Sequence, residues 1–342
     1  MDTVRVGIAG LGRFGQLHAA TLAALPDVEI AAVCDPDDTR VREIATRFGV
    51  PRGHASLEDM LDGGDLDAVF VVTPEQLHGA QAMSVLDRGL PLFLEKPLAA
   101  SAEEGARIVA AAAAAGVPLQ VGFVVRFEAQ HALLRSEIAA GRFGQLISIR
   151  LKRNCSRAWF PDYGDRVHTV YETSIHDIDL AIWLLGSRCR YVYAIDRNIS
   201  GLTFPDACFA MLQFDNGAVA MIETSWFVPQ GAPANVLTGT WHGTIDAELE
   251  LVGTERSARF RLLDSGLSIW RESFTHHPET GLWPEIGGAI AGALREEDRH
   301  FIERVRLRAD SAIASADDAV QGLRIAEAIV RSAAQSVPVS LD

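Results

Sequence analysis

Residues 7–18 read GIAGLGRFGQLH, and the reading of this stretch decides the fold. It continues a run rich in Val and Ile, VRVGIA (4–9), and opens a segment of helical period. Gly10, Gly12 and Gly15 stand in G-x-G-x-x-G spacing. The first glycine permits a tight turn, the second lets backbone approach a pyrophosphate, and the third lets the helix pack closely on the strand. Phosphates would sit at the helix N-terminus, where free N–H groups and the helix dipole attract anions. Alone the motif is weak, but here it lies between strand and helix, and Asp35 ends the next strand about twenty residues beyond Gly15. Gly10, Gly12, Arg13, Phe14, Gly15 and Asp35 are therefore the expected dinucleotide-binding residues. A carboxylate at position 35 accepts hydrogen bonds from ribose hydroxyls and repels a 2′-phosphate. Pro36, Asp37 and Asp38 follow, and the nearest base, Arg40, falls on the next helix, so NAD is expected over NADP.

The pattern repeats outward from this turn. VEIAAVCD (28–35), DAVFVVT (67–73), PLFLE (91–95) and PLQVGF (118–123) are short apolar runs, and helical stretches at 14–25, 38–48, 75–88 and 101–115 alternate with them. Near-continuous apolar strands separated by helices predict an α/β fold, a doubly wound parallel sheet covered on both faces. After residue 123 the pattern changes. A helix at 127–140 and a strand at 146–153 lead to a helical stretch, YETSIHDIDLAIWLLG (171–186). Strand-like runs follow, with a hairpin signal at Asn216-Gly217, and helices at 286–308 and 315–335 close the chain. The second part reads as α+β with a large mixed or antiparallel open sheet. With 342 residues, two domains are expected, 1–122 and 123–342.

Lys and Arg number 31 against 45 Asp and Glu, a formal net charge of −14, which argues against nucleic acid or an anionic membrane as the main partner. Cys34, Cys155, Cys189 and Cys208 form no metal-ligand spacing and read as reduced thiols of a cytoplasmic protein. The apolar run 108–125 is cut by Gly116 and Pro118, so it reads as a helix followed by a strand and not as a membrane span. The N-terminus has no basic head before an apolar core and carries no export signal.

PLFLEKPLA (91–99) places Glu95, Lys96 and Pro97 just past a strand, the position where open parallel sheets bind ligands. A lysine there could meet the nicotinamide end of the cofactor and stabilise an alkoxide. At this point the chain resembles the glucose–fructose oxidoreductase / inositol dehydrogenase / MocA family. The resemblance rests on GIAGLGRFGQLH, VVTPEQLHGAQAMSVLDRGLPLFLEKPLA, VGFVVRF, GRFGQL and IHDIDLAIWLLG, spread over the first 190 residues or so. It implies a Rossmann domain and an NAD(P)-dependent oxidoreductase acting on a sugar, cyclitol or related alcohol. It further implies that Thr73, Pro74 and His78 line the cofactor cleft, that Glu95 and Lys96 lie at the cofactor, and that Lys96 also contacts substrate. A cis Lys96–Pro97 bond is implied too.

On a helix of about 100° per residue, Glu172, His176, Asp179 and Trp183 fall within roughly 60° of one another. Ile175, Ile178 and Ile182 flank one side of this stripe and Leu180 and Leu184 the other, while Asp177 lies apart, as a surface residue or a structural partner. A metal site, a structural cluster and a catalytic group all fit the pattern. No second His-rich or Cys-rich segment supplies further ligands, so no metal is expected. The resemblance supports catalysis, since relatives carry a carboxylate four residues before a histidine in this context. That carboxylate is usually Asp and here is Glu172. The expected chemistry is hydride transfer from a secondary alcohol, with His176 as base, Lys96 stabilising the alkoxide and Glu172 orienting them. Arg126 matches a family position facing the pocket, and Asn154 is a further substrate candidate. Trp159 and Tyr163 could cap a sugar ring or pack against a neighbouring subunit. Ile245 stands where inositol dehydrogenases align a tyrosine, a departure that weakens myo-inositol as the substrate. Two alternatives share the fold: an NAD-retaining glycosidase and a non-catalytic NAD-binding regulator. The strand-rich sheet, with Trp226 and Trp241, is the expected interface of a homodimer or homotetramer, as the resemblance also suggests.

Overall fold

The computed structural model describes residues 3–237, 242–264, 266–270, 272 and 275–341, with Asp264 as backbone only. The chain packs as two compact units, residues 1–128 with 281–320 and residues 129–280 with 321–342. The first unit thus recovers a late stretch that the sequence reading leaves in the second domain.

In the first unit, β1 (Val4–Ala9), β2 (Val28–Cys34), β3 (Gly53–His54), β4 (Ala68–Val71), β5 (Leu92–Glu95) and β6 (Leu119–Gly122) form one sheet in the order 3-2-1-4-5-6. Every pairing is parallel. The strand order reverses beside β1, and ligands of such sheets bind at that switch point. The intervening helices are α1 (Arg13–Ala23), α2 (Asp38–Phe48), α3 (Leu57–Asp62), α4 (His78–Leu86) and α5 (Ala102–Ala115). Sequence reading misses β3 and α3, which are too short to show a period. Ser56 starts α3 by accepting the Asp59 N–H at 3.1 Å. The alanine-rich α5 ends at Gly116, whose φ of +65° a side chain would resist, and β6 follows. Among the described residues no helix is long and apolar enough to cross a membrane.

The second unit opens with α6 (Ala129–Ala139) and β7 (Leu146–Ser156), followed by α7 (Ile175–Leu185). Then come β8 (Cys189–Arg197), β9 (Ala207–Phe214), β10 (Val219–Val228), the short pair β11 (Val236–Leu237) and β12 (His242–Gly243), β13 (Ile245–Gly253) and β14 (Ser257–Arg261). A seven-stranded sheet runs β14-β13-β7-β10-β9-β8 and ends on the strand Val339–Ser340. Only the β7–β10 pairing is parallel, so the sheet is mixed. Gly217, at φ +84°, makes the expected turn between β9 and β10. Trp241 lies outside the described residues.

Strand period sorts this sheet into two faces. On β9, Cys208, Ala210 and Leu212 are buried while Phe209 and Met211 on the opposite face are exposed. The buried side of β7 carries Arg153, whose guanidinium makes paired bonds of 3.0 and 2.9 Å to Asp177 of α7. The open side carries Tyr193, Ile195, Phe209, Met211 and Met221, and toward β13 it becomes charged, with Lys152 between Asp246 (2.9 Å) and Glu248 (2.8 Å).

The closing helices are α8 (Ala293–Leu307) and α9 (Ala316–Gln335). The start expected at 286 shifts because Gly287, Gly288 and Gly292 all take positive φ, and a small hairpin occupies 285–290 instead. Phe301 of α8 meets Phe70 and Phe93 in the core of the first unit. Enclosed with these rings is His18 of α1, with Nδ1 2.8 Å from Asp298 Oδ1 and Nε2 3.3 Å from Glu95 Oε1. Burial alone would lower the His18 pKa, but the charge and hydrogen bond of Asp298, joined by those of Glu95, outweigh it and raise it to about 10 from 6.5. The stabilisation is complete below pH 6.5 and is lost as pH rises through about 10. Unfolding should therefore release one proton at about pH 8, with stability falling by ~1.4 kcal/mol per pH unit there. Denaturant titrations at a series of pH values check this, and a flat profile would contradict it.

Candidate active site

The cofactor end of the first unit is built by close approach. A Cβ on Gly15 would collide with the carbonyl oxygen of Gly10, and one on Gly10, at φ +90°, with the carbonyl of Val72. Nothing lies within 4 Å of a Cβ placed on Gly12, which caps α1. No side chain caps α1 and no acidic residue sits in its first turn, so the helix end suits a pyrophosphate. Arg13 begins α1, and the ring of Phe14 packs edge-on against Trp283 at 5.4 Å. Asp35 is buried at the end of β2 and accepts N–H groups of Leu11 (2.8 Å) and Asp37 (2.9 Å). The carboxylate thereby ties the glycine turn to the strand that would present it to a ribose. Arg40, on α2, approaches Asp35 only to 3.7 Å and Asp37 to 3.4 Å. These groups fit an NAD.

Thr73 and Pro74 follow β4, and Thr73 Oγ1 bonds Gln81. His78 is turned into the protein. It is wholly buried, with Nδ1 2.7 Å from the carbonyl of Pro97 and Nε2 2.9 Å from that of Thr73. Burial lowers its pKa, against the pull of both carbonyls. Glu95 is likewise turned inward, with Oε1 toward His18 and Oε2 accepting the Lys96 N–H at 2.8 Å. Lys96 itself is half-buried just past β5, and Lys96–Pro97 is cis, as the resemblance implies. Arg126 departs from expectation. It is 1% exposed and meets the Ile313 carbonyl (2.6 Å) and Asp318 (3.0 Å), a buried ion pair.

In the second unit, residues 170–174 form a π-helical turn that leads into α7. Glu172 therefore sits on wider helical spacing than the α-helical projection assumes. Its Oε2 lies 4.0 Å from Arg166. His168 anchors the turn: its Nδ1 accepts the Val170 N–H at 3.2 Å, which leaves Nε2 to donate to Asp196 at 3.2 Å. Within α7 every residue is buried except His176 and Trp183, two turns apart on one face. Asp179, between them, is wholly buried, and Asp177 is the buried partner of Arg153 and not a surface residue.

Asn154 is not brought to this helix. It lies on the open side of the sheet, opposite the side where Arg153 meets α7, and bonds Glu223 (3.1 Å) and Ser225 (2.9 Å). Trp159 is 6% exposed, and Tyr163 stacks on Trp226 at 5.2 Å, so both belong to an aromatic core under the π turn. Sequence reading assigns no role to His18 or Arg153. His18 stands within the quoted motif, but its partner Asp298 is distant in sequence.

Fold and groups together define an NAD-dependent oxidoreductase. Residues 4–123 match the model of an oxidoreductase family with an NAD-binding Rossmann fold, and residues 135–341 match that family's C-terminal alpha/beta domain. The chain belongs to this family, the glucose–fructose oxidoreductase / inositol dehydrogenase / MocA oxidoreductases. It is 28% identical to the scyllo-inositol 2-dehydrogenase (NAD(+)) of Bacillus subtilis, over 99% of this chain and 96% of that protein. It is 32% identical to inositol 2-dehydrogenase 2 of Saccharopolyspora erythraea over 65% of this chain and 66% of that one. The structure of scyllo-inositol dehydrogenase from Lactobacillus casei with bound NAD(H) and scyllo-inositol shares the fold, with a TM-score of 0.82, 22% identity and 99% of both chains covered.

Asp35→Ala removes both the expected ribose acceptor and the tie to Leu11. It should raise the Kd for NADH about 10- to 100-fold, the worth of hydrogen bonds to a charged group. Fluorescence titration with NADH measures this, and an unchanged Kd would show that Asp35 does not hold the cofactor.

Proposed function

We propose that the protein oxidises a ring secondary hydroxyl of a cyclitol, sugar or related polyol, with Lys96 and His176 acting on that hydroxyl. The carrying observation is that His176, half-buried, is the one ionisable side chain of α7 that is not enclosed. His18 and His78, by contrast, are enclosed completely and cannot meet a substrate. The names of the relatives support the substrate class. Ile245 packs against the Trp159, Phe160 and Trp226 cluster; the resemblance to inositol dehydrogenases implies a tyrosine there, so myo-inositol in particular is not favoured.

In this reading His176 accepts the hydroxyl proton as the C–H bond breaks. The Lys96 ammonium stabilises the developing alkoxide by charge and hydrogen bond. Glu172, on the π turn that leads into α7, orients the histidine. Bound NAD supplies the hydride acceptor. His176→Ala and Lys96→Met should each lower turnover at least ~100-fold while the Kd for NADH stays nearly unchanged. NADH formation from a panel of cyclitols and sugars, followed by absorbance, is the measurement, and full activity in either variant refutes the mechanism.

The open sheet face is the proposed interface of a homodimer or homotetramer. Phe209 is 44% exposed and Met211 is 55% exposed, side by side with Tyr193 and Ile195 on one apolar surface. Replacing both, Phe209→Glu with Met211→Glu, should yield monomers by light scattering, and an unchanged oligomer mass would move the interface elsewhere. A cytoplasmic location belongs to the same reading, supported by four free, buried cysteines.

A further inference from the structure

We propose that His18 is a positioning residue for the reaction: its buried ring holds the Glu95 carboxylate, which in turn fixes the backbone from which Lys96 is presented. The inference rests on the reading that Lys96 acts on the substrate. Glu95 has two oxygens and each has one task. Oε1 faces His18 Nε2 at 3.3 Å, and Oε2 accepts the Lys96 N–H at 2.8 Å. On the other side of the His18 ring, Nδ1 meets Asp298 Oδ1 at 2.8 Å. Both ring nitrogens face carboxylate oxygens, so the ring serves as a cation between two anions.

The surroundings are shaped for this arrangement. The ring lies edge-on to Phe93 at 5.1 Å and tilted to Phe70 at 5.8 Å, and its exposure is zero. Asp298 is wholly enclosed and the Glu95 side chain is 8% exposed, so little water can compensate a carboxylate left there without its cation, and the Glu95 position depends on His18. On β6, a Cβ at Gly122 would lie 2.7 Å from Glu95 Oε1 and 2.9 Å from its carboxyl carbon. The strand gives up a side chain to admit that carboxylate. Beyond Lys96, the carbonyl of Pro97 meets His78 Nδ1 at 2.7 Å. The turn that carries Lys96 is thus held on both sides, by Glu95 with His18 before it and by His78 after it. His18 also lies one helical turn past Gly15, so the helix that receives the phosphates and the turn that carries the amine share one anchor.

His18→Phe fills the space with an apolar ring and removes the cation. A displacement of about 1 Å at Lys96 should lower kcat ~10- to 100-fold. The decisive comparison is a double-mutant cycle. In a Lys96→Met background His18→Phe should change the residual kcat less than about 3-fold, because the residue acts through Lys96. A purely structural role predicts the same fractional loss in both backgrounds and overturns the proposal. Amide hydrogen exchange at Lys96 tests the same idea without turnover. Protection of that N–H should be lost in His18→Phe, and retained protection overturns the proposal. A wild-type protein that oxidises no polyol would refute the proposed function, while the exchange result would still decide whether His18 fixes the Lys96 backbone. If His18→Phe does not fold, Asp298→Asn, which removes one of the two anions, is put through the same two measurements with the same outcomes.

Discussion

The contact on which the rest depends is the one between the Gly15 Cα and the Gly10 carbonyl, where no side chain fits. It brings the start of α1 against the end of β1 and aims the uncapped N–H groups past the strand ends. Asp35 reaches into the same turn to hold Leu11, so the group expected to meet the ribose also fixes the loop expected to meet the phosphates. A turn farther along α1, His18 carries that order inward to Glu95 and Asp298. A buried cation between two carboxylates is costly if either side is removed, and that cost makes the arrangement specific.

The second unit solves a different problem. α7 is apolar almost all round, and a helix of that kind belongs in a core. Leaving only His176 and Trp183 unburied gives one ionisable group access while its neighbours stay fixed. Arg153 with Asp177 and His168 with Asp196 supply the rigid backing, the first beneath α7 and the second beneath the π turn that precedes it. Departure from α-helical spacing at Val170–Ser174 changes where Glu172 points, and π-helical turns of this kind recur at functional sites.

Much of the fold was legible because parallel strands and amphipathic helices leave long periodic signals. The strand 4–9 appears where the residue pattern puts it. Elements of two to six residues, such as β3 and α3, carry no period to read. The glycines at 287, 288 and 292 did carry a signal against an early helix start. Site residues divide in the same way. Glycine spacing and the end-of-strand positions of Asp35 and Lys96 are local facts. The directions of Glu95, His78 and Arg126 depend on partners such as His18, Pro97 and Asp318, which no local pattern names. For Asn154 the strand period was available: Leu151 and Arg153 mark one side, and Asn154 falls on the other.

The central claim is that a C–H bond of a ring polyol is broken with its hydrogen passing to NAD. The most direct test supplies NAD and scyllo-inositol deuterated at its ring carbons and examines the reduced cofactor by NMR. The account predicts deuterium at C4 of the nicotinamide. Reduced cofactor without deuterium there, or inositol consumed with no reduced cofactor formed, would contradict it.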